Sequence, residues 1–454
     1  MDLDPVMLAR LQFAFTISFH IIFPSFTIGL SAYIATLEVM WVATGEDRYK
    51  RISRFWTRIF AVSFAMGVVS GIVLSYQFGT NWSRFTVVTS NVIGPLIGYE
   101  VLTAFFLEAT FLSILLFGGD RVPRWLHAFS AVAVALGTAL SSFWILSANS
   151  WMHTPAGYVM RDGIAYPQDW WAIIFNPSFP YRFAHMLNAA YLTAGFAVLA
   201  VGARYLVAGR FLEEGRTMTR MAVGLLVVLA PLQLFLGDQH GLNTLEHQPI
   251  KVAAMEAHWD RGPADFEIFA WPDEQAEVNR YALSIPKAGS LILTHRIDGT
   301  VPGLKDVPPA DRPPVKTVFF AFRIMLAVGF FMIGAALFGA WLWWSGKLFA
   351  TRWYLQVMAQ CWWLGFVAVI AGWITTESGR QPWIVHGIMR TADATSPVLA
   401  TSIATTLALF ILVYGVIFGA GAYYINRLIH RGPDAQLVQP GDRTKGPLGV
   451  EHVV

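Results

Sequence analysis

The sequence predicts an all-α, polytopic membrane protein with nine transmembrane helices. Of its 454 residues, 55% are hydrophobic and only 13% are charged, whereas a soluble domain carries about 25% charged residues. The chain also contains 18 Trp and 34 Phe, which suit a lipid-facing surface with aromatic belts. This composition excludes a soluble multi-domain enzyme, a disordered protein and a nucleic-acid-binding protein.

Nine segments are long and apolar enough to cross a bilayer core, which takes about 20 residues of helix. We predict spans at 15–43, 55–76, 95–118, 126–147, 183–207, 217–237, 318–345, 357–376 and 397–425. They divide the chain into six helices within 1–237, a long loop over 238–317, three helices within 318–430, and a polar tail over 431–454. We expect the tail to be disordered because it has few residues that could form a core.

Basic residues alternate between the loops, as the positive-inside rule requires. The basic loops and ends carry Arg48, Lys50, Arg51, Arg54, Arg121, Arg124, Arg204, Arg210, Arg216, Arg220, Lys347, Arg352, Arg427 and Arg431. With nine spans, this pattern predicts an external N-terminus, a cytoplasmic C-terminus and a 238–317 loop on the outer face.

Several spans contain ionisable side chains. A charge at membrane depth costs about 2.5 kcal/mol or more on insertion scales, so each one suggests a function. The residues, with one methionine, are His20, Glu100, Glu108, His185, Arg323, Met325, Glu377 and Arg380. Glu100 and Glu108 lie two turns apart and about 80° around a regular α-helix.

Each of these residues also has a simpler explanation. A single His or Glu can hydrogen-bond a neighbouring helix, Met325 can fill the core, and Glu377 with Arg380 can form an i,i+3 ion pair at a helix end. Their recurrence favours metal and proton chemistry instead, because neutral imidazole and thioether are both iron ligands. The single cysteine excludes cysteine-built zinc and iron–sulfur sites. Copper is also disfavoured, because only His20 and His185 lie clearly within the predicted spans.

Six stretches of the sequence match one family. The stretches LQFAFTISFH, FGTNWS, FFLEATF, FWILSANSWM, FAFRIM and GRQPW resemble subunit I of the cytochrome bd-type quinol oxidases, over almost the whole chain. The resemblance implies a copper-free enzyme that reduces O2 to water with electrons from quinol. Such an enzyme takes protons from the cytoplasm and releases quinol protons outside, so it builds a proton-motive force without pumping.

The resemblance also implies roles for the residues of the low-spin haem and of the proton route. His185 and Met325 match the axial ligands of a low-spin haem b, and Arg323 would face the propionates or the surroundings of that haem. Glu108 would lie on the proton route from the cytoplasm. From its position near the cytoplasmic end of the same span, and not from the resemblance, we expect Asp120 to be the point of proton uptake.

A second set of residues matches the oxygen site, which holds a pair of haems. His20 resembles the axial ligand of haem d, and Glu377 resembles the ligand of the high-spin haem b. Glu100 would lie beside the oxygen-reducing haem, Trp373 resembles the aromatic residue between the haems, and Arg380 of GRQPW belongs with the catalytic residues. Which of His20, Glu100 and Glu377 binds which haem stays open.

The 238–317 loop occupies the place of the family's quinol loop. Lys251 and Glu256, in KVAAMEAHWD, match residues implicated in quinol oxidation; without the resemblance they would be interpreted as a solvated charge pair. The loop length resembles that of the short-loop class, which includes the cyanide-insensitive oxidases. The resemblance to the family implies three haems, two haem b and one haem d. Because the short-loop class can have unusual haem spectra, a further haem b could replace the haem d.

The resemblance predicts a heterodimer with subunit II in the bacterial cytoplasmic (inner) membrane, with or without a small single-span subunit. One alternative is a quinol-oxidising haem b electron-transfer subunit without oxygen chemistry, which would leave His20, Glu100 and Glu377 unexplained. Another is an ion transporter, which would predict broken helices or inverted repeats that the sequence does not show.

Overall fold

The computed structural model describes residues 4–119 and 121–433. In this part of the chain, eight helices are long and apolar enough to cross a membrane, and there are nine if a bent pair of helices is counted as one span. The predicted all-α, polytopic architecture is therefore confirmed, with eight or nine spans in the described residues. Asp120 and residues 434–454 of the predicted tail lie outside the described residues.

The elements follow one another in an up-and-down order. In chain order they are α1 (Pro5–Thr44), α2 (Asp47–Thr80), α3 (Ser83–Tyr99), a π-helix (Glu100–Phe105), α4 (Phe106–Phe117), α5 (Arg124–His153), β1 (Tyr158–Arg161), β2 (Ile164–Pro167), α6 (Trp170–Ile174), α7 (Phe179–Ala208), α8 (Leu212–His247), α9 (Pro249–Glu256), β3 (Phe266–Asp273), β4 (Val278–Ile285), α10 (Ala288–Thr294), α11 (Val315–Trp344), α12 (Arg352–Met358), α13 (Leu364–Ser378), β5 (Trp383–Val385), β6 (Met389–Arg390) and α14 (Ala400–Arg431). The strands form three antiparallel hairpins, β1–β2, β3–β4 and β5–β6.

Local chemistry sets where the long helices start and stop. At the start of α1, the Asp4 carboxylate accepts a hydrogen bond from the Val6 amide at 2.9 Å, and Pro5 occupies the first turn. The carboxylate satisfies an amide group that lacks a partner within the helix, and proline has no N–H that would be left unpaired there. Helix α1 ends at Gly45 with φ +72°, and α7 ends at Gly209 with φ +67°. Glycine adopts this left-handed conformation without a steric penalty.

Helix α7 lies at the centre of the bundle. In the most apolar stretch of α7, 78% of the residues are buried, whereas in the most apolar stretch of α14 only 11% are buried. Gly29 of α1 faces the backbone of Ala190, and Gly365 of α13 faces Thr193, without room for a Cβ at either glycine. Small residues at these crossings let the backbones approach closely, which is how membrane helices gain packing energy.

The two ends of the bundle differ in the length of their connections. One end, called the loop end below, carries the connections 154–178, 248–314 and 379–399. The other end carries only short turns. The loop at 248–314 is shorter than the predicted 238–317, because α8 continues to His247 and α11 begins at Val315. The polar run from Asp238 to Gly241 stays helical because it faces an internal cavity.

Two helices depart from the regular geometry expected from the sequence. The expectation of unbroken helices is wrong for the eighth span, because α12 and α13 meet at 44° around a 3₁₀ turn at Cys361–Trp363. This break contains neither Pro nor Gly, the usual sequence marks of a kink. The regular-helix spacing of Glu100 and Glu108 is also wrong, because the π-helix Glu100–Phe105 lies between them and π-turns change the rotation per residue.

Candidate functional site

Five of the predicted site residues line one cavity at the loop end of the bundle. The cavity has a volume of about 510 Å³ and lies among α7, α8, α9, α11 and α13. His185, Met325 and Trp373 contribute from three spanning helices, and Lys251 and Glu256 contribute from α9. The predicted ligands of the low-spin haem and the predicted quinol residues therefore face the same internal space.

His185 is held in place by α8. Its Nε2 lies 3.1 Å from the amide nitrogen of Gln233, which also donates to the His185 carbonyl at 3.1 Å. Its Nδ1 is buried and has no hydrogen-bond partner in the described residues. The ring lies 5.6 Å from the ring of His240, also on α8. A buried imidazole nitrogen without a partner is unfavourable unless a bound group completes it.

Two glycines leave space around the predicted ligands. A Cβ at Gly372 of α13 would lie 2.9 Å from the sulfur of Met325, and a Cβ at Gly237 of α8 would lie 3.4 Å from Cε1 of His185. A larger residue at Gly372 would displace the thioether. Imidazole and thioether together are suited to an iron with two axial ligands.

A cluster of polar residues closes the cavity at the loop end, and we call it the loop-end cluster. It consists of His153, Arg182, Lys251, Glu377 and Arg380. The Arg380 guanidinium donates to the Glu377 carboxylate at 2.5 Å, His153 Nε2 lies 3.2 Å from the same carboxylate, and Arg182 lies 3.8 Å from it. The Lys251 ammonium lies 2.9 Å from His153 Nδ1. Burial, reinforced by the charge of Arg182, holds the pKa of Lys251 well below its usual range.

The loop-end cluster and its surroundings contain more buried donors than acceptors. Arg182 Nε, Arg380 Nε, Arg380 Nη1 and Arg323 Nη1 are buried without a partner in the described residues. Two carboxylates, such as haem propionates, would satisfy such donors, because guanidinium groups bind carboxylates in pairs of hydrogen bonds. The buried His185 imidazole, the Met325 thioether and the Arg182 guanidinium line the cavity and fit a haem there.

Lys251 and Glu256 are buried, so their interpretation as a solvated charge pair is wrong. Only 5% of Lys251 and 7% of Glu256 is exposed. They do not bind each other: Glu256 accepts from Arg323 at 2.6 Å, while Lys251 binds His153. Arg323 also donates to the Glu267 carbonyl at 2.5 Å. It therefore ties α11 to α9 and to β3.

His20, Glu100 and Glu108 lie away from this cavity. His20 Nδ1 lies 3.0 Å from the Ser70 hydroxyl, and Glu100 accepts from Ser141 at 2.7 Å. Glu108 is buried, and its Oε1 has no partner in the described residues. Among those residues no hydrogen bond joins His20 or Glu100 to Glu377. The three predicted ligands of the haem pair therefore do not contact one another directly.

Sequence reasoning missed four buried residues of the spanning helices. Glu38 of α1 is 1% exposed and binds Ser53 and His127, the latter at 2.9 Å. Glu38 and His127 are acid and imidazole within predicted spans, so the rule that singled out His20 could have found them. His153 and Arg182 lie at helix ends, where charged residues are common, and the sequence contains no pattern that marks them.

The chain is similar to known proteins over nearly its full length. The family described as "Cytochrome bd terminal oxidase subunit I" matches residues 8–433. The cytochrome bd ubiquinol oxidase subunit 1 of Bacillus subtilis (strain 168) is 36% identical over 445 residues, covering 95% of each chain. The cytochrome bd-II ubiquinol oxidase subunit 1 of Escherichia coli (strain K12) is 31% identical over 511 residues, covering 96% of this chain and 99% of that protein.

A solved structure has the same fold. The bd oxidase from Geobacillus thermodenitrificans superposes with a TM-score of 0.88 at 30% identity, covering 95% of this chain and 100% of that one. Sequence, fold and the paired His185/Met325 cavity lead to one assignment. The chain belongs to the cytochrome bd terminal oxidase subunit I family.

Proposed function

We propose that this protein is the haem-containing subunit of a terminal quinol oxidase that oxidises quinol at the loop end and reduces O2 to water with cytoplasmic protons. Its relatives are named ubiquinol oxidase subunits, so the chain is a quinol:oxygen oxidoreductase of the respiratory chain. The observation that carries the detailed proposal is the single cavity shared by His185, Met325, Lys251 and Glu256.

The loop end is the outer side of the membrane in this proposal. The basic turns at the opposite end then face the cytoplasm, as the positive-inside rule requires. The N-terminus lies outside and the C-terminus inside the cytoplasmic (inner) membrane of a bacterium. Quinol protons released at the loop end contribute to the proton-motive force without pumping.

His185 and Met325 are the residues that would hold a low-spin haem b. When bound, haem supplies one-electron transfer and oxygen chemistry. The unpartnered donors of Arg182, Arg380 and Arg323 would hold propionate carboxylates. His20 and Glu377 would hold the two haems of the oxygen site, with Trp373 near them, which makes two haem b and one haem d, or a third haem b in its place.

Lys251 and Glu256 bind quinol and move its protons. Both side chains face the cavity from α9, within reach of a substrate that enters from the loop end. Glu256 accepts a proton from the quinol hydroxyl, and Lys251 holds a quinol oxygen with its own hydrogen-bond donors. The Arg323 guanidinium keeps Glu256 oriented toward the cavity wall.

Glu108 and Glu100 carry protons from the cytoplasmic side toward the oxygen site, whereas quinol protons are released at the loop end. Glu108 has an unpartnered carboxylate oxygen, and the Ser141 hydroxyl orients Glu100 one π-turn further along the same span. A buried carboxylate can take a proton from the cytoplasmic side and pass it on. The proposed point of uptake, Asp120, lies outside the described residues.

The exposed faces of the bundle are covered by lipid and by other chains. Membership in the family implies a second membrane subunit, subunit II, and we extend this to a heterodimer that can also carry a small single-span subunit. Helix α14, which is the least buried of the spans, offers a large apolar surface for such contacts.

The test is an optical spectrum of the reduced, purified complex together with quinol-dependent oxygen consumption. We expect low-spin and high-spin haem bands, of which the high-spin bands change when CO or O2 is added. Haem bands indifferent to both gases would favour an electron-transfer subunit, and a protein without haem bands would contradict the proposal.

A further inference from the structure

His153 connects three parts of the protein through one imidazole ring. It is the last residue of α5 and is 1% exposed. Its Nδ1 lies 2.9 Å from the Lys251 ammonium of α9, and its Nε2 lies 3.2 Å from Oε1 of Glu377 on α13. Its carbonyl accepts from the Gln248 amide at 2.9 Å.

One neutral tautomer satisfies both ring contacts. With the proton on Nε2, the ring donates to the Glu377 carboxylate and accepts from the Lys251 ammonium at Nδ1. Gln248 Oε1 lies 3.3 Å from the same Nδ1, and the shorter contact with the Lys251 donor decides the tautomer. The ring therefore acts as a bridge with one donating end and one accepting end.

We propose that His153 is a positioning residue that holds Lys251 and Glu377 in one hydrogen-bonded unit. The inference rests on the proposed function, which assigns Lys251 to quinol and Glu377 to a haem. It adds a residue to that site and a direct connection between its two halves. His153 itself touches neither substrate nor iron in this proposal.

The two partners depend on His153 to different degrees. In the described residues, His153 is the hydrogen-bond partner of the Lys251 ammonium, and the lysine stem packs against Gly379, where a Cβ would lie 2.8 Å from Lys251 Cγ. Glu377 also binds Arg380 at 2.5 Å and the Asn149 amide at 3.1 Å. Loss of the imidazole therefore releases Lys251 while Glu377 keeps most of its contacts.

The alternative is that His153 only fills space at the end of α5. Two substitutions separate these roles. His153→Leu keeps the volume and removes both nitrogens. His153→Gln keeps an acceptor and a donor on one planar amide, so its oxygen can accept from Lys251 while its nitrogen donates to Glu377.

The experiment compares the wild type and both variants in the assembled, haem-loaded oxidase with a short-chain ubiquinol. Groups that orient a ligating or substrate-binding residue are typically worth about 10–100-fold. We expect His153→Leu to raise the quinol KM at least about tenfold, with little change in kcat and with the high-spin haem content retained. His153→Gln should restore the wild-type KM, and the low-spin haem band should be unchanged in both variants.

Two results would overturn the inference. A wild-type KM in His153→Leu would mean that His153 only fills space, and a His153→Gln protein as impaired as His153→Leu would mean that the hydrogen bonds to Lys251 and Glu377 are not what the residue contributes. If His153→Leu does not retain haem, His153→Asn, whose shorter amide reaches only one partner, is judged by the same criteria. A wild-type complex that neither oxidises quinol nor shows a low-spin haem would contradict the proposed function instead.

Discussion

Two groups of ionisable residues in the membrane region are built in different ways. In the loop-end cluster every member binds another member, and four of the five side chains are buried. In the part of the chain that the structure describes, the side chains of Glu100 and Glu108 have between them one hydrogen bond, to Ser141, and their span exposes apolar residues such as Leu102 and Phe106. The side chains of the cluster bind one another, whereas the span of the two glutamates needs lipid or another chain to cover it.

This contrast separates two chemical tasks. Several cations around one carboxylate hold anionic groups in fixed positions, and they are suited to binding a cofactor and orienting a substrate. A carboxylate with few partners can change its protonation without breaking a network, and it is suited to moving a proton. Substitutions in the cluster should therefore change binding and stability, and substitutions at the glutamates should change turnover.

The largest effect is expected for Arg380→Leu in the haem-loaded protein. Removing one side of a buried ion pair costs about 3–5 kcal/mol, so the variant should lose that much free energy of unfolding and much of its haem. The matched control is Arg390→Leu, because Arg390 pairs with Asp311 where both side chains are more than 30% exposed. Such a pair contributes about 0–1 kcal/mol.

Thermal unfolding in detergent and haem quantification measure this difference. Equal losses of stability in the Arg380 and Arg390 variants would contradict the idea that the loop-end cluster is an energetic unit.

The next effect is expected for Glu108→Gln. A positioned acid or base contributes about 100-fold or more to a rate, so oxygen consumption should fall by about that factor while the low-spin spectrum stays the same. Glu213→Gln is the control, because Glu213 is an exposed carboxylate paired with Arg51. Wild-type oxygen consumption in Glu108→Gln, with normal haem content, would mean that Glu108 only hydrogen-bonds a neighbouring helix.

A smaller effect is expected for Glu256→Gln. The amide oxygen can still accept from Arg323, so the fold should be unchanged, but the amide cannot take a quinol proton. We expect quinol turnover to fall about tenfold, comparable to the loss of one charge-assisted hydrogen bond. CO binding to the reduced complex should be unaffected. If CO binding fails and quinol turnover persists, Glu256 belongs to the oxygen site and the division between the two groups of residues is wrong.

The fold and part of the site could be predicted from the sequence because their causes are local. Long apolar segments predict spans, and short motifs such as FAFRIM, which contains Met325, point to the family. The burial of Lys251 could not be predicted, since a lysine in a charged loop is usually solvated. The roles of His153 and Arg182 arise only when α5, α7, α9 and α13 meet. The bend before Leu364 has no Pro or Gly at the break to mark it, and the Pro95 and Gly98 that precede the π-helix do not by themselves predict a π-turn.

The measurement that tests the central claim most directly is the spin state of the haem in Met325→Leu. Leu has a similar volume, so the cavity should stay packed, but it removes the sulfur that lies against Gly372. If His185 and Met325 hold the low-spin haem b, that haem becomes high-spin and five-coordinate, and its low-spin bands disappear from the reduced spectrum. A variant that retains all of its haem with an unchanged low-spin spectrum would contradict the assignment.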